Sequence, residues 1–148
     1  MLQMTTSRDV AAPPARVFEV ASDLRNAPGR IRAITKLEVV TEGPVRVGTR
    51  FRETRRMFGR EATEEMEIVA LDPPRSYVIG SESCGCRYRI EMRFVPKGSG
   101  TEMQMSFAAE PLTFMAKVMG VLMKPMAKKM LAQCAQDLDD IAAHAERH

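Results

Sequence analysis

Two glutamates and an arginine interrupt an otherwise apolar surface, and these side chains are the ones best suited to acid–base chemistry. If residues 57–60 form the loop between two strands, Glu53 faces Glu64 across a hairpin, with Arg55 on the same face. Repulsion and burial would raise the pKa of at least one carboxyl and make a general acid or base. Alternatively, Arg55 neutralises both in a structural network, or the cluster lies at the solvated rim. We treat Glu53, Glu64 and Tyr88 as candidate catalytic residues.

The other potential nucleophiles and metal ligands lack the partners that such sites require. Cys84, Cys86 and Cys134 have no fourth ligand nearby, and the two histidines, His144 and His148, lie at the C-terminal end of the sequence. A structural zinc site and a Ser–His or Cys–His nucleophile are therefore not expected. We predict that the protein uses neither a metal nor a cofactor.

Size and charge restrict the remaining classes of protein. A chain of 148 residues has the length of one domain, residues 1–148, with a core of its own. The net charge is only +3, with basic and acidic residues interleaved, which disfavours nucleic acid as a partner. Three cysteines do not make a disulfide framework, so we expect a cytoplasmic protein. The apolar run at 118–123 is too short to cross a bilayer, so no stable membrane insertion is expected.

Alternating side chains predict an antiparallel sheet with one solvated face. With a loop at residues 57–60, the outer face gains three pairs of opposite charge, and the inner face is apolar at the end far from the loop. The outer pairs are Arg56–Glu61, Arg52–Glu65 and Arg50–Glu67, and the inner apolar residues are Phe51, Met66 and Ile68.

The alternation continues through three further strands. A second hairpin, closed by residues 82–85, would pair Tyr77 with Ile90 and Ile79 with Tyr88. The hydroxyls of Tyr77 and Tyr88 could orient a ligand carbonyl or bond to the backbone. A glycine-rich loop then returns the chain into a last strand that extends the same inner face. The inward residues of the last two strands are Tyr88, Ile90, Met92, Phe94, Met103, Met105 and Phe107.

The last third of the chain, residues 111–145, has the apolar periodicity of a helix. Five methionines recur there at steps of three and four, and Leu138 and Ile141 continue their stripe. Pro125 should kink or divide this helix near residues 121–124. Methionine suits an adaptable apolar surface, so the helix and sheet enclose either a Met-filled core or a cavity. The five are Met115, Met119, Met123, Met126 and Met130.

Four segments resemble a known family. They are residues 12–18 (APPARVF), 23–28 (DLRNAP), 47–51 (VGTRF) and 68–75 (IVALDPPR). Together with the order strand, two short helices, six strands and a long C-terminal helix, they are similar to the polyketide cyclase/dehydrase branch of the START-like, Bet v 1-like superfamily (SRPBCC). The resemblance implies an α+β helix-grip fold, in which a curved antiparallel sheet of about seven strands wraps around the long helix. The sheet and the helix then enclose a hydrophobic cavity. The family includes aromatase/cyclases and carriers of lipids and hormones.

Three functions follow from this reading. The first is binding of a small hydrophobic molecule, lipid-like or polyketide-like, by a carrier or sensor. The second is a polyketide cyclase or dehydratase, with Glu53 or Glu64 as base and a tyrosine as proton donor. The third is a protein-interaction module, if the sheet leaves the apolar helix stripe uncovered. A homodimer is also left open.

The ligand-binding prediction joins the inner face of the sheet to the methionine stripe of the helix. Its residues are Phe51, Arg55, Met66, Ile68, Tyr77, Ile79, Tyr88, Ile90, Met92, Met103, Met105, Phe107, Met115, Met119, Met123, Met126 and Met130.

Overall fold

A curved, seven-stranded antiparallel sheet forms the body of the protein. The computed structural model describes residues 2–57 and 59–147, so the tip of the predicted 57–60 loop and His148 lie outside the described residues. The strands are β1 (Leu2–Val10), β2 (Ile34–Val39), β3 (Arg50–Met57), β4 (Arg60–Asp72), β5 (Ser76–Ser83), β6 (Cys86–Lys97) and β7 (Gly100–Pro111). They are ordered β1-β7-β6-β5-β4-β3-β2 across the sheet, so β1 and β2 are its edges.

Helical segments occur after β1 and after β7. The first pair is α1 (Pro14–Ser22) and a 3-10 helix (Leu24–Gly29). Pro14 suits the first turn of α1 because that turn needs no backbone donor. The second group is α2 (Phe114–Leu122), a 3-10 turn (Lys124–Met126) and the long α3 (Ala127–Ala145). This order of elements confirms the predicted helix-grip fold.

The two predicted hairpins differ in outcome. The pairing of β3 with β4 is confirmed, including Glu53 opposite Glu64. The pairing of β5 with β6 is wrong by two positions, because Tyr77 pairs with Met92 and Ile79 with Ile90. The turn there is only Cys84–Gly85, and both residues have positive φ, 52° and 76°. Such a two-residue turn extends both strands toward the tip. Since a slip of two keeps side chains on the same face, the predicted inner face survives.

Pro125 divides the C-terminal segment as predicted. Helix α2 ends at Leu122, Pro125 lies within the 3-10 turn, and α3 begins at Ala127. Proline has no backbone N–H and clashes with the preceding turn, so the helix cannot continue through it. Among the described residues, no helix is both long and apolar enough to cross a membrane.

The prediction that the whole methionine stripe faces the sheet is wrong. Met115, Met119 and Met123 are exposed, and the only buried side chain of α2 is that of Ala116. A stripe with helical spacing shares one face only if the helix is continuous, and the break at Pro125 separates α2 from α3. The first turn of α2 instead packs at the β5–β6 turn, where Ala116 lies close to Gly85. The amide of Leu112, just before α2, donates a 2.7 Å hydrogen bond to the carbonyl of Gly85.

Two buried clusters leave space between them. The larger joins the C-terminal half of α3 to α1, β1, β6 and β7, with Leu138 and Ala142 almost fully buried. The smaller joins Leu24, Phe51 and Ile68. A cavity lies between them, since residues of both clusters, such as Phe51 and Met105, line it.

Candidate ligand cavity

An apolar cavity of about 340 Å³ lies between the inner face of the sheet and the N-terminal half of α3. Strands β2 to β7 supply most of its wall, and the segment after α1 closes one side. Helix α3 contributes residues spaced by three, one, three and four positions, so they share one face of the helix. These helix residues are Met130, Gln133, Cys134, Asp137 and Ile141.

Most of the predicted ligand-binding residues line this cavity. They occupy alternate positions on the strands, as one face of a sheet requires. The lining residues among those predicted are Phe51, Arg55, Met66, Tyr77, Ile79, Tyr88, Ile90, Met92, Met105, Phe107 and Met130, together with Glu53 and Glu64.

Six predicted residues do not line the cavity. Ile68 and Met103 point to the same side of the sheet but are buried in the two clusters, at 2% and 0% exposure. Met126 lies in the 3-10 turn, and Met115, Met119 and Met123 lie outside, because α2 turns away from the sheet. The wall of this cavity is therefore smaller than the predicted set of residues.

An ionic cluster crosses the cavity from sheet to helix. Arg55 Nη1 lies 2.7 Å from Asp137 Oδ2, and Arg55 Nε lies 3.2 Å from Glu53 Oε2. Burial opposes the charge on Arg55, but attraction to Asp137 and Glu53 outweighs it and raises the pKa of the guanidinium. Two carboxylates thus share one arginine in a poorly solvated place, where breaking a pair is costly.

Asp137 is the polar group of the cavity that the sequence reading missed. It is only 6% exposed, and its Oδ1 atom has no hydrogen-bond partner among the described residues. Burial raises its pKa to about 6, although the charge and hydrogen bonds of Arg55 pull it down. A signal was present, since Asp137 lies three residues after Cys134 and four before Ile141 on the apolar stripe. Buried acceptors without a donor are uncommon in folded proteins.

The three candidate catalytic residues differ in how they are held. Glu53 is bound by Arg55, whereas Glu64 is half-buried, and burial followed by repulsion from Glu53 raises its pKa. Burial, with a smaller effect of Cys86, raises the pKa of Tyr88 to about 12. The hydroxyl of Tyr77 donates a 3.2 Å hydrogen bond to the carbonyl of Ala21, so this tyrosine presents its ring to the cavity.

A second concavity, of about 510 Å³, opens on the outer face of the sheet. Charged side chains form most of its wall, and several of them are paired with each other, as Arg50 is with Glu65 and Glu67. Exposed ion pairs of this kind are well solvated. The inner cavity is therefore the better candidate for an apolar ligand.

Comparison with known proteins identifies relatives of the whole chain. Residues 1–146 match the family described as polyketide cyclase / dehydrase and lipid transport. None of the curated proteins matches in sequence.

Solved structures share the fold at low sequence identity. TTHA0849 from Thermus thermophilus is 24% identical, with a TM-score of 0.80 over 97% of both chains. The Zhui aromatase/cyclase from Streptomyces sp. R1128 is 17% identical, with a TM-score of 0.78 over 99% of this chain and 94% of its own. Ara h 8.0201 is 18% identical, with a TM-score of 0.66 over 99% of both chains. These likenesses establish the Bet v 1-like helix-grip fold.

Proposed function

The chain belongs to the polyketide cyclase/dehydrase and lipid transport family, and from that premise we propose that it is a carrier or sensor for one small, mainly apolar molecule. The ligand occupies the cavity between the sheet and α3 and carries a hydroxyl or amine that donates a hydrogen bond to Asp137. A cavity of about 340 Å³ is at the lower end of ordinary ligand sites, so it suits one compact molecule.

The observation that carries this proposal is the unpartnered Oδ1 of Asp137 in an apolar wall. A filled core would leave that buried oxygen unsatisfied, at a cost that native proteins avoid. A ligand with a donor resolves the problem and fills the apolar space. Its apolar part would contact side chains such as Met105 and Phe107.

Filling the cavity from its rim tests the proposal. Ala62 lines the cavity but is exposed, so Ala62→Trp adds a large side chain there without deleting a core group. We expect an uncharged environment-sensitive naphthalene dye to bind the wild type at one saturable site, and Ala62→Trp to weaken it by about tenfold or more. Fluorescence titration measures both.

The neighbouring residue supplies the matched control. Thr63 is exposed and pairs with Thr54 on the outer face, so Thr63→Trp adds the same side chain outside the cavity. Its dye affinity should equal that of the wild type. Equal weakening by both substitutions, or no saturable binding by the folded wild type, would contradict the proposal.

A cyclase or dehydratase is the second candidate function, and a particular arrangement favours it. Glu64 and Tyr88 both line the cavity, and burial is the main cause that raises the pKa of each. A carboxylate base and a phenol donor in one apolar space suit removal of a proton next to a ketone.

Proton exchange separates this candidate from simple binding. In D₂O, an enzyme of this kind should speed exchange of the protons between the two carbonyls of a β-diketone, followed by NMR. Glu64→Gln should abolish the acceleration and Tyr88→Phe should reduce it, while neither should prevent dye binding. If exchange is no faster than in buffer at the same pH, the cyclase or dehydratase function is contradicted, and binding remains as the proposed function.

A further inference from the structure

Helix α2 and the turn after it expose apolar side chains over most of their surface. Phe114 is 78% exposed, Val121 72% and Leu122 67%. Together with Val118 they fall at intervals of four, three and one, so they share one face of the helix, and three methionines lie beside that face. The flanking methionines are Met115, Met119 and Met123. Patches of this kind on soluble proteins mark surfaces that meet a partner.

The charged residues of α2 and of the segment that follows it have one sign. Lys117, Lys124, Lys128 and Lys129 lie on α2, the 3-10 turn and the first turn of α3. Between Pro111 and Gln136 the sequence has no acidic residue. Elsewhere in the chain, basic side chains are commonly paired with carboxylates, as Arg87 is with Glu82. The acid-free flank of α2 is therefore complementary to an anionic surface.

We propose that α2 docks on an anionic lipid bilayer. The face formed by Phe114, Val121 and Leu122 enters the boundary between headgroups and acyl chains, and the four lysines contact lipid phosphates. The helix lies along the surface and does not span the membrane, in keeping with its nine residues. Apolar side chains flanked by lysines are the composition that such interfacial helices require.

A second copy of the chain fits this surface less well than a bilayer does. Twofold pairing through α2 would bring the lysines of both copies together, and like charges at an interface oppose association. The position of α2 adds a further reason. It leads through the 3-10 turn directly into α3, and Met130 and Cys134 of α3 line the cavity. Docking would thus hold the cavity close to the lipid, whatever molecule the cavity binds.

Vesicle sedimentation tests the proposal with the intact protein. We expect binding to phosphatidylcholine vesicles that contain phosphatidylserine, with about tenfold weaker binding to phosphatidylcholine alone and a decrease with added salt. Val121→Gln with Leu122→Gln should weaken binding about tenfold or more, and so should Lys124→Glu with Lys128→Glu. All four residues are exposed, so the fold is kept. The controls are Val95→Gln and Lys36→Glu, which change exposed residues of β6 and β2.

A fluorescent reporter locates the contact. The chain has no tryptophan, so Phe114→Trp and the control Val95→Trp each give a single signal. On anionic vesicles the tryptophan emission of Phe114→Trp should shift to the blue and be quenched by brominated lipids. The emission of Val95→Trp should show neither change. The proposal is overturned if the wild type does not sediment with anionic vesicles, or if the α2 variants bind them as tightly as the controls do. It is also overturned if the fluorescence of Phe114→Trp shifts to the blue only when the protein dimerises at high concentration without lipid.

Discussion

At about pH 8, Arg55→Met should lower the free energy of unfolding by roughly 3–5 kcal/mol. The substitution keeps a long side chain in the cavity wall but removes the charge that Asp137 and Glu53 share at 2.7 and 3.2 Å. Asp137 then remains as a buried carboxylate with no cation beside it. An uncompensated buried charge costs far more than an exposed one, because little water reaches it.

The loss should shrink as the pH falls. The pKa of Asp137 is already raised from 3.8 to about 6, and without Arg55 it rises further. A carboxyl whose pKa is higher in the folded than in the unfolded protein destabilises the fold when ionised, so stability falls as pH rises from about 4 through the folded pKa. The wild type should show the same trend more weakly: between a pH well below 4 and a pH well above 6, its free energy of unfolding should fall by at most roughly 3 kcal/mol because of Asp137. Near pH 5 the variant should regain much of its stability.

Urea unfolding at the two pH values measures these differences, and neighbouring substitutions control them. Arg56→Met removes an exposed arginine from the next position of β3, so it should cost less than about 1 kcal/mol at either pH. Arg55→Met combined with Asp137→Asn should recover part of the loss at the higher pH, because position 137 then carries no charge and only Glu53 is left without Arg55. Similar losses in Arg55→Met and Arg56→Met would mean that the cluster is solvated.

The inner face of the sheet could be predicted because alternation specifies a face without specifying a register. Tyr88, Ile90 and Met92 point inward whether Ile79 lies opposite Tyr88 or Ile90, since the two registers differ by an even number. The register itself depends on the Cys84–Gly85 turn. A cysteine with positive φ is not a usual turn signal, so the sequence does not indicate this tight turn.

The helix was harder to predict than the sheet, because residues with helical spacing share one face only as long as the helix is unbroken. The sequence indicated the position of the break at Pro125, but the direction of α2, which precedes the break, depends on contact between Ala116 and the β5–β6 turn. No local pattern encodes that contact. The same limit applies to Asp137, whose surroundings exist only once α3 lies across Arg55 of β3. Glu53 and Glu64 were found because a single hairpin brings them together.

A ligand with a hydrogen-bond donor should bind roughly 10–100-fold more tightly than the same ligand with that donor blocked, because hydrogen bonds to charged groups contribute about 1.5–3 kcal/mol. The pair 2-naphthol and 2-methoxynaphthalene provides this comparison, since both have the same rings and only the first can donate to Asp137 Oδ1. Isothermal titration at about pH 8, where the carboxyl is ionised, measures the preference.

The preference should depend on pH and on Asp137 itself. Below a midpoint of about 6 the carboxyl becomes protonated, so the preference for the naphthol should fall toward a few-fold. Asp137→Asn should show that smaller preference at every pH, because its amide oxygen is a neutral acceptor. Asp139→Asn is the matched control, since Asp139 is an exposed aspartate of the same helix that pairs with Arg8, and it should leave the preference and its midpoint unchanged. If the wild type binds the ether as tightly as the naphthol at about pH 8, Asp137 does not receive the ligand, and its buried charge serves only the network with Arg55.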